Sequence, residues 1–189
     1  MSSDQPRRLT DPKAMRAVAH PTRWALLEAL ARQEPLTATE AAEIVGESPT
    51  NCAFHLRTLA KYGFVEETGD GQGRRRPWKR SHIGLTFDAT DSGNPAADLL
   101  STHLWTTWLE KLNRINVMRP AFDEHRRIQT EATQTVFHVT PDELAELQRE
   151  LAAFTLRYRE RVVDPSARPP GSEPVEFIGF TYPRQAIEP

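Results

Sequence analysis

Five cations crowd into seven residues: Arg74, Arg75, Arg76, Lys79 and Arg80. A cluster this dense is the footprint of a polyanion site, because each phosphate it neutralises releases condensed counterions. Upstream lies a second set with different chemistry. The Asn51 amide can read adenine through two hydrogen bonds, Thr50 offers a hydroxyl to a base edge, and the Phe54 ring can pack on a thymine methyl. Arg57 and Lys61 are phosphate contacts or solvated charges, and both readings stand. The plain alternative for Thr50 and Asn51 is that they are polar residues opening a helix.

Catalytic chemistry has little to work with. The six histidines (His20, His55, His82, His103, His125 and His138) are scattered, with no pair at i, i+4. No H-E-x-x-H, G-x-S-x-G or phosphate loop occurs. Cys52 is the single cysteine, which excludes a disulfide scaffold or a Cys-rich zinc site and suits a reducing cytoplasm. We expect Cys52 to be a small half-buried helix residue and His55 a structural histidine beside Leu56. No enzyme activity, metal or cofactor is expected.

The elements that must carry these side chains are legible from local signals. Thr37 and Glu40 form a T-x-x-E capping box at a helix start, and Gly46 ends that helix. Ser48 is an N-cap and Pro49 fits the first position of a second helix, which turns Ala53, Leu56, Leu59 and Ala60 inward. Two helices joined by so short a turn cross steeply, so the second projects as a ridge. Gly63 stops it. Residues 64–68 and 77–81 read as strands around the tip GDGQGRRR, with Trp78 anchoring the hairpin base. Upstream, Asp11 and Pro12 open a helix. His20-Pro21 breaks it, and an apolar helix through Leu26, Leu27 and Leu30 follows as the domain's central element.

At these residues the chain resembles a known family. The segments HPTRWALLEAL, SPTNCAFHLRTLAKYGFVEE and GRRRPWKR are similar to the ArsR-type winged helix-turn-helix transcriptional regulators, over roughly residues 11–83. The resemblance implies a homodimeric regulator of double-stranded DNA. Its second motif helix would enter the major groove while the wing touches backbone or minor groove. It places DNA contacts at Ser48, Pro49, Thr50, Asn51, Phe54, Arg57, Arg74, Arg75, Arg76, Lys79 and Arg80. Metal-sensing members carry a cysteine pair on the first motif helix, which here reads ATEAAEIV, so no metal site comes with the resemblance. Ala53-Phe54 stands where the family usually has Ser-Arg.

The expected architecture is mainly α with small β. Residues 10–83 form the winged helix-turn-helix domain, and residues 95–189 a C-terminal α+β module for dimerisation. Charge divides the same way. Residues 1–82 hold 13 Lys/Arg against 10 Asp/Glu, and residues 83–189 hold 11 against 16. Residues 83–94 read as a linker. A long helix is expected from Ala96 to Met118, a short one over 122–131, and strands over 133–139 and 175–182. Thr140, Pro141 and Glu143 open another helix, whose Leu144, Leu147, Leu151, Phe154 and Tyr158 recur at gaps of three and four. That seam either joins two subunits or packs within one. The first 15 residues are polar, and no apolar run approaches membrane-span length, so a soluble cytoplasmic protein is expected. Two other readings remain open. One is a sensor-regulator with a small-molecule effector near Trp105, Trp108, Phe122 and His125, residues that also suit an ordinary helix core. The other is a winged helix that grips protein.

Overall fold

The computed structural model describes residues 6–69, 76–87, 93–124, 133–179 and 181. The chain divides into two compact units, Met1–Thr106 with Arg159–Arg168, and Thr107–Tyr158 with Pro169–Pro189. The architecture is mainly helical with small sheets, as the sequence predicts.

The first unit is assembled by local capping chemistry. Asp11 accepts the Lys13 N–H at 2.9 Å and starts α1 (Pro12–Val18). Arg23 reaches back to the Ala17 and Arg16 carbonyls, which the end of α1 leaves without helical partners. His20, extended because a proline follows, precedes α2 (Pro21–Arg32). The capping box is complete: the Glu40 carboxylate accepts the Thr37 N–H at 2.7 Å, and the Thr37 hydroxyl accepts the Glu40 N–H at 3.3 Å. It opens α3 (Ala38–Val45), which Gly46 closes at φ 74°, a left-handed conformation favouring glycine. Ser48 accepts the Asn51 N–H at 3.2 Å and starts α4 (Pro49–Lys61). Gly63 (φ 71°) then reverses the chain, and the Phe64 N–H bonds the Leu59 carbonyl.

The hairpin follows directly. β1 (Arg7–Leu9) lies elsewhere; β2 (Val65–Glu67) pairs antiparallel with β3 (Trp78–Arg80), with Glu66 opposite Lys79. Leu36 bridges to Trp78 through two backbone bonds of 2.8 and 3.0 Å. Trp78 is buried and anchors the hairpin as expected. A lone hairpin is marginal in water, and this packing onto α2 and Leu36 is what holds it.

The core gathers Met15 and Val18 of α1, Leu26 and Leu30 of α2, and Ala41 and Ala42 of α3. Cys52, Leu56 and Leu59 of α4, with Leu36 and Phe64, complete it. α2 packs against α3, α4 and β3, the central role read from its broad apolarity.

Two expectations are corrected. Part of the stretch read as a linker is β4 (Leu85–Phe87), paired in parallel with β1. The reason is the N-terminal segment. Leu9 is buried, and the Arg7 guanidinium sits 4.5 Å over the Phe64 ring and donates to the Tyr62 carbonyl. The tail strands are the second correction. Residues 133–139 and the described part of 175–182 form no ladder. Val136, Phe137, Val139, Val175 and Phe177 are all exposed, so β-branched composition there lacks a face to bury. Residues 125–131 of the expected short helix lie outside the described residues.

α5 (Pro95–Met118) begins in the first unit, where Ala97, Leu100 and Leu104 are buried. A 3-10 turn at Arg119–Ala121 ends it at Pro120. In the second unit, α6 (Pro141–Leu156) starts with a complete Thr140–Glu143 capping box. Phe177 meets Phe154 edge-on at 5.7 Å, and Glu176 pairs with Lys111 at 2.7 Å. A short helix, α7 (Arg159–Val163), returns to the first unit. No helix among the described residues is long and apolar enough to cross a membrane.

Candidate nucleic-acid interface

α4 has two faces set by its sequence period. Cys52, His55, Leu56 and Leu59 are buried, while Ser48, Pro49, Thr50, Phe54, Arg57 and Lys61 are exposed. Phe54 leaves 58% of its surface in solvent, a large apolar group on an otherwise polar ridge. Asn51 is half-buried, and its Nδ2 donates to Glu47 Oε2 at 2.9 Å. Glu47 Oε1 faces the Thr22 hydroxyl at 3.4 Å. The first turn of the ridge is thus braced from the α3–α4 turn and from α2.

The wing sorts its cations. Arg76 and Lys79 are exposed and pair loosely with Glu67 (3.3 Å) and Glu66 (3.2 Å) across the hairpin. Such exposed pairs are worth about 0–1 kcal/mol, so a phosphate can displace them. Arg80 differs from the other two in its partner. It donates through Nε and Nη2 to Glu34 at 3.2 Å each, Glu34 also accepts the Arg80 N–H at 2.9 Å, and 12% of its side chain is exposed. The pair braces the wing base and leaves Arg80 less exposed than Arg76 or Lys79. Arg74 and Arg75 lie outside the described residues.

The five-residue tail seam lies on one strip of α6 and the turn after it. Leu144, Leu147 and Leu151 are half-buried, and Phe154 and Tyr158 are 43% and 51% exposed. On α5, Leu109, Leu112, Ile115, Val117 and Met118 are also exposed. Of the residues considered for an effector, Trp105 is exposed and Trp108 and Phe122 are half-buried; His125 lies outside the described residues.

A family model for a helix-turn-helix domain matches residues 18–68. The match runs from the last residue of α1 through β2, so this chain carries a helix-turn-helix domain with a β-wing attached. No curated protein matches the chain. Within the helix-turn-helix domain, the sequence reading did not anticipate the pairing of Glu34, Glu47, Glu66 and Glu67. Glu47 was signalled by its i, i+4 spacing to Asn51. Glu66 and Glu67 required the hairpin register.

Behind the exposed ridge of α4 lies a histidine pair. His20 and His55 rings stand 4.7 Å apart, and neither Nδ1 has a hydrogen-bond partner. Burial lowers both pKa values, and Arg23 lowers them further; His103 and His55 also act on His20, while Glu47 opposes the shift. His82 is lowered by burial and Arg7. A histidine whose folded pKa lies below its unfolded value of about 6.5 resists protonation only while folded. The unfolded chain therefore takes up protons first as pH falls. This stabilisation is fully present above about pH 6.5 and is lost as pH drops below it. Thermal unfolding followed from pH 7.5 to 5.5 should show a falling midpoint, and His55→Gln should flatten that slope.

Proposed function

We propose that this chain is an ArsR-type winged helix-turn-helix transcriptional regulator, binding double-stranded DNA as a homodimer and acting as a repressor. The observation that carries the reading is the ridge of α4. Thr50 and Phe54 stand on the face opposite the core with half-buried Asn51 at its edge, followed at once by a hairpin whose exposed cations among the described residues include Arg76 and Lys79. Base-edge groups on a projecting helix supply sequence readout, and the wing cations supply phosphate contacts that fix register.

Dimerisation draws support from the exposed apolar residues of α5 and α6. Monomers rarely expose large contiguous apolar patches, and a two-fold partner is the commonest cover. A dimer also presents two α4 ridges to half-sites about one helical turn, roughly 34 Å, apart. A dimer seated across two adjacent major grooves excludes other proteins from that stretch, so repression needs no further contact.

The test is selection of bound sequences from a random duplex pool at moderate salt, with the complex sized by light scattering. A pseudo-palindrome held by two chains is expected. Enrichment of no sequence at all would remove the reading.

A further inference from the structure

The bond between Glu47 and Asn51 has a consequence for which base is read. A carboxylate accepts hydrogen bonds and donates none, so the Asn51 amide must turn its NH2 toward Glu47. One of the two N–H groups is thereby engaged. The second N–H and Oδ1 stay unengaged by Glu47, and they are the donor–acceptor pair that matches adenine: Oδ1 accepts from N6 and the N–H donates to N7. The carboxylate is itself held. Thr22 approaches its other oxygen, and the Glu47 N–H bonds the Ala42 carbonyl at 3.1 Å. It also stands just before the N-terminus of α4, where the helix dipole favours negative charge.

We propose that Glu47 is a positioning residue for specificity, holding the Asn51 amide in the orientation that selects adenine. The proposal rests on the DNA-binding reading above. Glu47 makes no attractive contact with DNA of its own; a carboxylate beside a phosphate backbone repels it. Its effect is to restrict rotamers. A free asparagine samples about three χ1 wells and two amide orientations, roughly six states. Apparent affinity for the adenine site falls by the fraction that is competent. Releasing the amide should therefore weaken adenine preference about three- to sixfold per half-site. Overall affinity for all sequences should rise slightly because a negative charge has gone.

The experiment compares the full-length chain with Asn51→Ala, Glu47→Ala and Glu47→Gln in selection from a random duplex pool, followed by titration of single-base variants of the winning site. Asn51→Ala should abolish the preference at one position of each half-site, and that base should be adenine. Glu47→Ala should weaken preference at that position alone. Glu47→Gln keeps an acceptor oxygen and should restore it, while matching Glu47→Ala in its gain of general affinity. That rescue separates positioning from charge. If the wild type selects a motif but both Glu47 variants leave the Asn51 position unchanged, or if that position is not adenine, the proposal is overturned. If the wild type selects nothing, the regulator reading falls instead.

Discussion

Replacing Arg74, Arg75, Arg76 and Lys79 together with alanine should lower DNA affinity by on the order of 10³-fold per subunit near 0.1 M salt. The reasoning runs through counterions. Each phosphate contact contributes about 0.9 to the slope of log K against log salt, so four contacts contribute about 3.6. Relative to a 1 M reference, one decade of dilution multiplies affinity by about eightfold per contact. Two of the four cations start out paired with Glu67 and Glu66, and breaking those exposed pairs subtracts about 0–1 kcal/mol each. Glu66→Gln with Glu67→Gln should therefore move affinity the other way, a gain of up to about fivefold each. Fluorescence titration at several salt concentrations reads both effects. An unchanged salt slope in the fourfold variant would mean the wing never meets phosphate, and would favour a winged helix that grips protein. Arg80 is left out deliberately. Its substitution would break the Glu34 pair and confuse loss of binding with loss of the wing base.

Why some of this was readable in the sequence and some was not follows from the range of the interactions. The capping boxes at Thr37–Glu40 and Thr140–Glu143, the left-handed Gly46 and the Ser48-Pro49 helix start are complete within four residues, and the structure contains each of them. The inward face of α4 was equally legible, since Leu56 and Leu59 repeat at helical spacing. The β1–β4 pair was not. Each strand has three residues, too few for an alternation signal, and their pairing joins Arg7 to Leu85 across most of the first unit. The tail strands failed for the opposite reason. Val136 and Val139 have strand composition, yet propensity is weaker than the need for a partner and a buried face.

The candidate site shows the same division. Charge density located the wing, but charge alone does not tell a phosphate contact from an ion pair. Strand alternation does better: with Trp78 buried, Arg80 two residues on shares its side of the hairpin, and Lys79 points the other way. That geometry puts Arg80 within reach of Glu34, 46 residues away in sequence, a contact no local pattern announces. Glu47 and Asn51 are the intermediate case. Their spacing was visible, while its meaning depended on half-buried Asn51 standing at the edge of the exposed ridge.

The two faces of α4 give the second large effect. Leu56 is fully buried at the centre of the first unit, whereas Phe54, two residues earlier on the same helix, is mostly in solvent. Truncating a buried leucine removes its transfer energy and leaves a cavity, together about 2–5 kcal/mol. Against a typical domain stability of about 5–15 kcal/mol, that is a large fraction. Leu56→Ala should therefore lower the unfolding midpoint by about 8–40 °C, at about 4–8 °C per kcal/mol for a domain of this size. DNA affinity per folded molecule should barely change, because no base or phosphate group has been lost; only the active fraction falls. Phe54→Ala should do the reverse. A surface substitution costs about 0.5 kcal/mol or less in stability, while on the proposed reading loss of the ring that packs on a thymine methyl should reduce affinity and relax one base position. Thermal unfolding by circular dichroism, paired with active-site titration on the selected DNA, separates the two. If instead Phe54→Ala melted the domain and Leu56→Ala spared it, α4 would be packed the other way round, and Thr50 and Asn51 would face the core, not the groove.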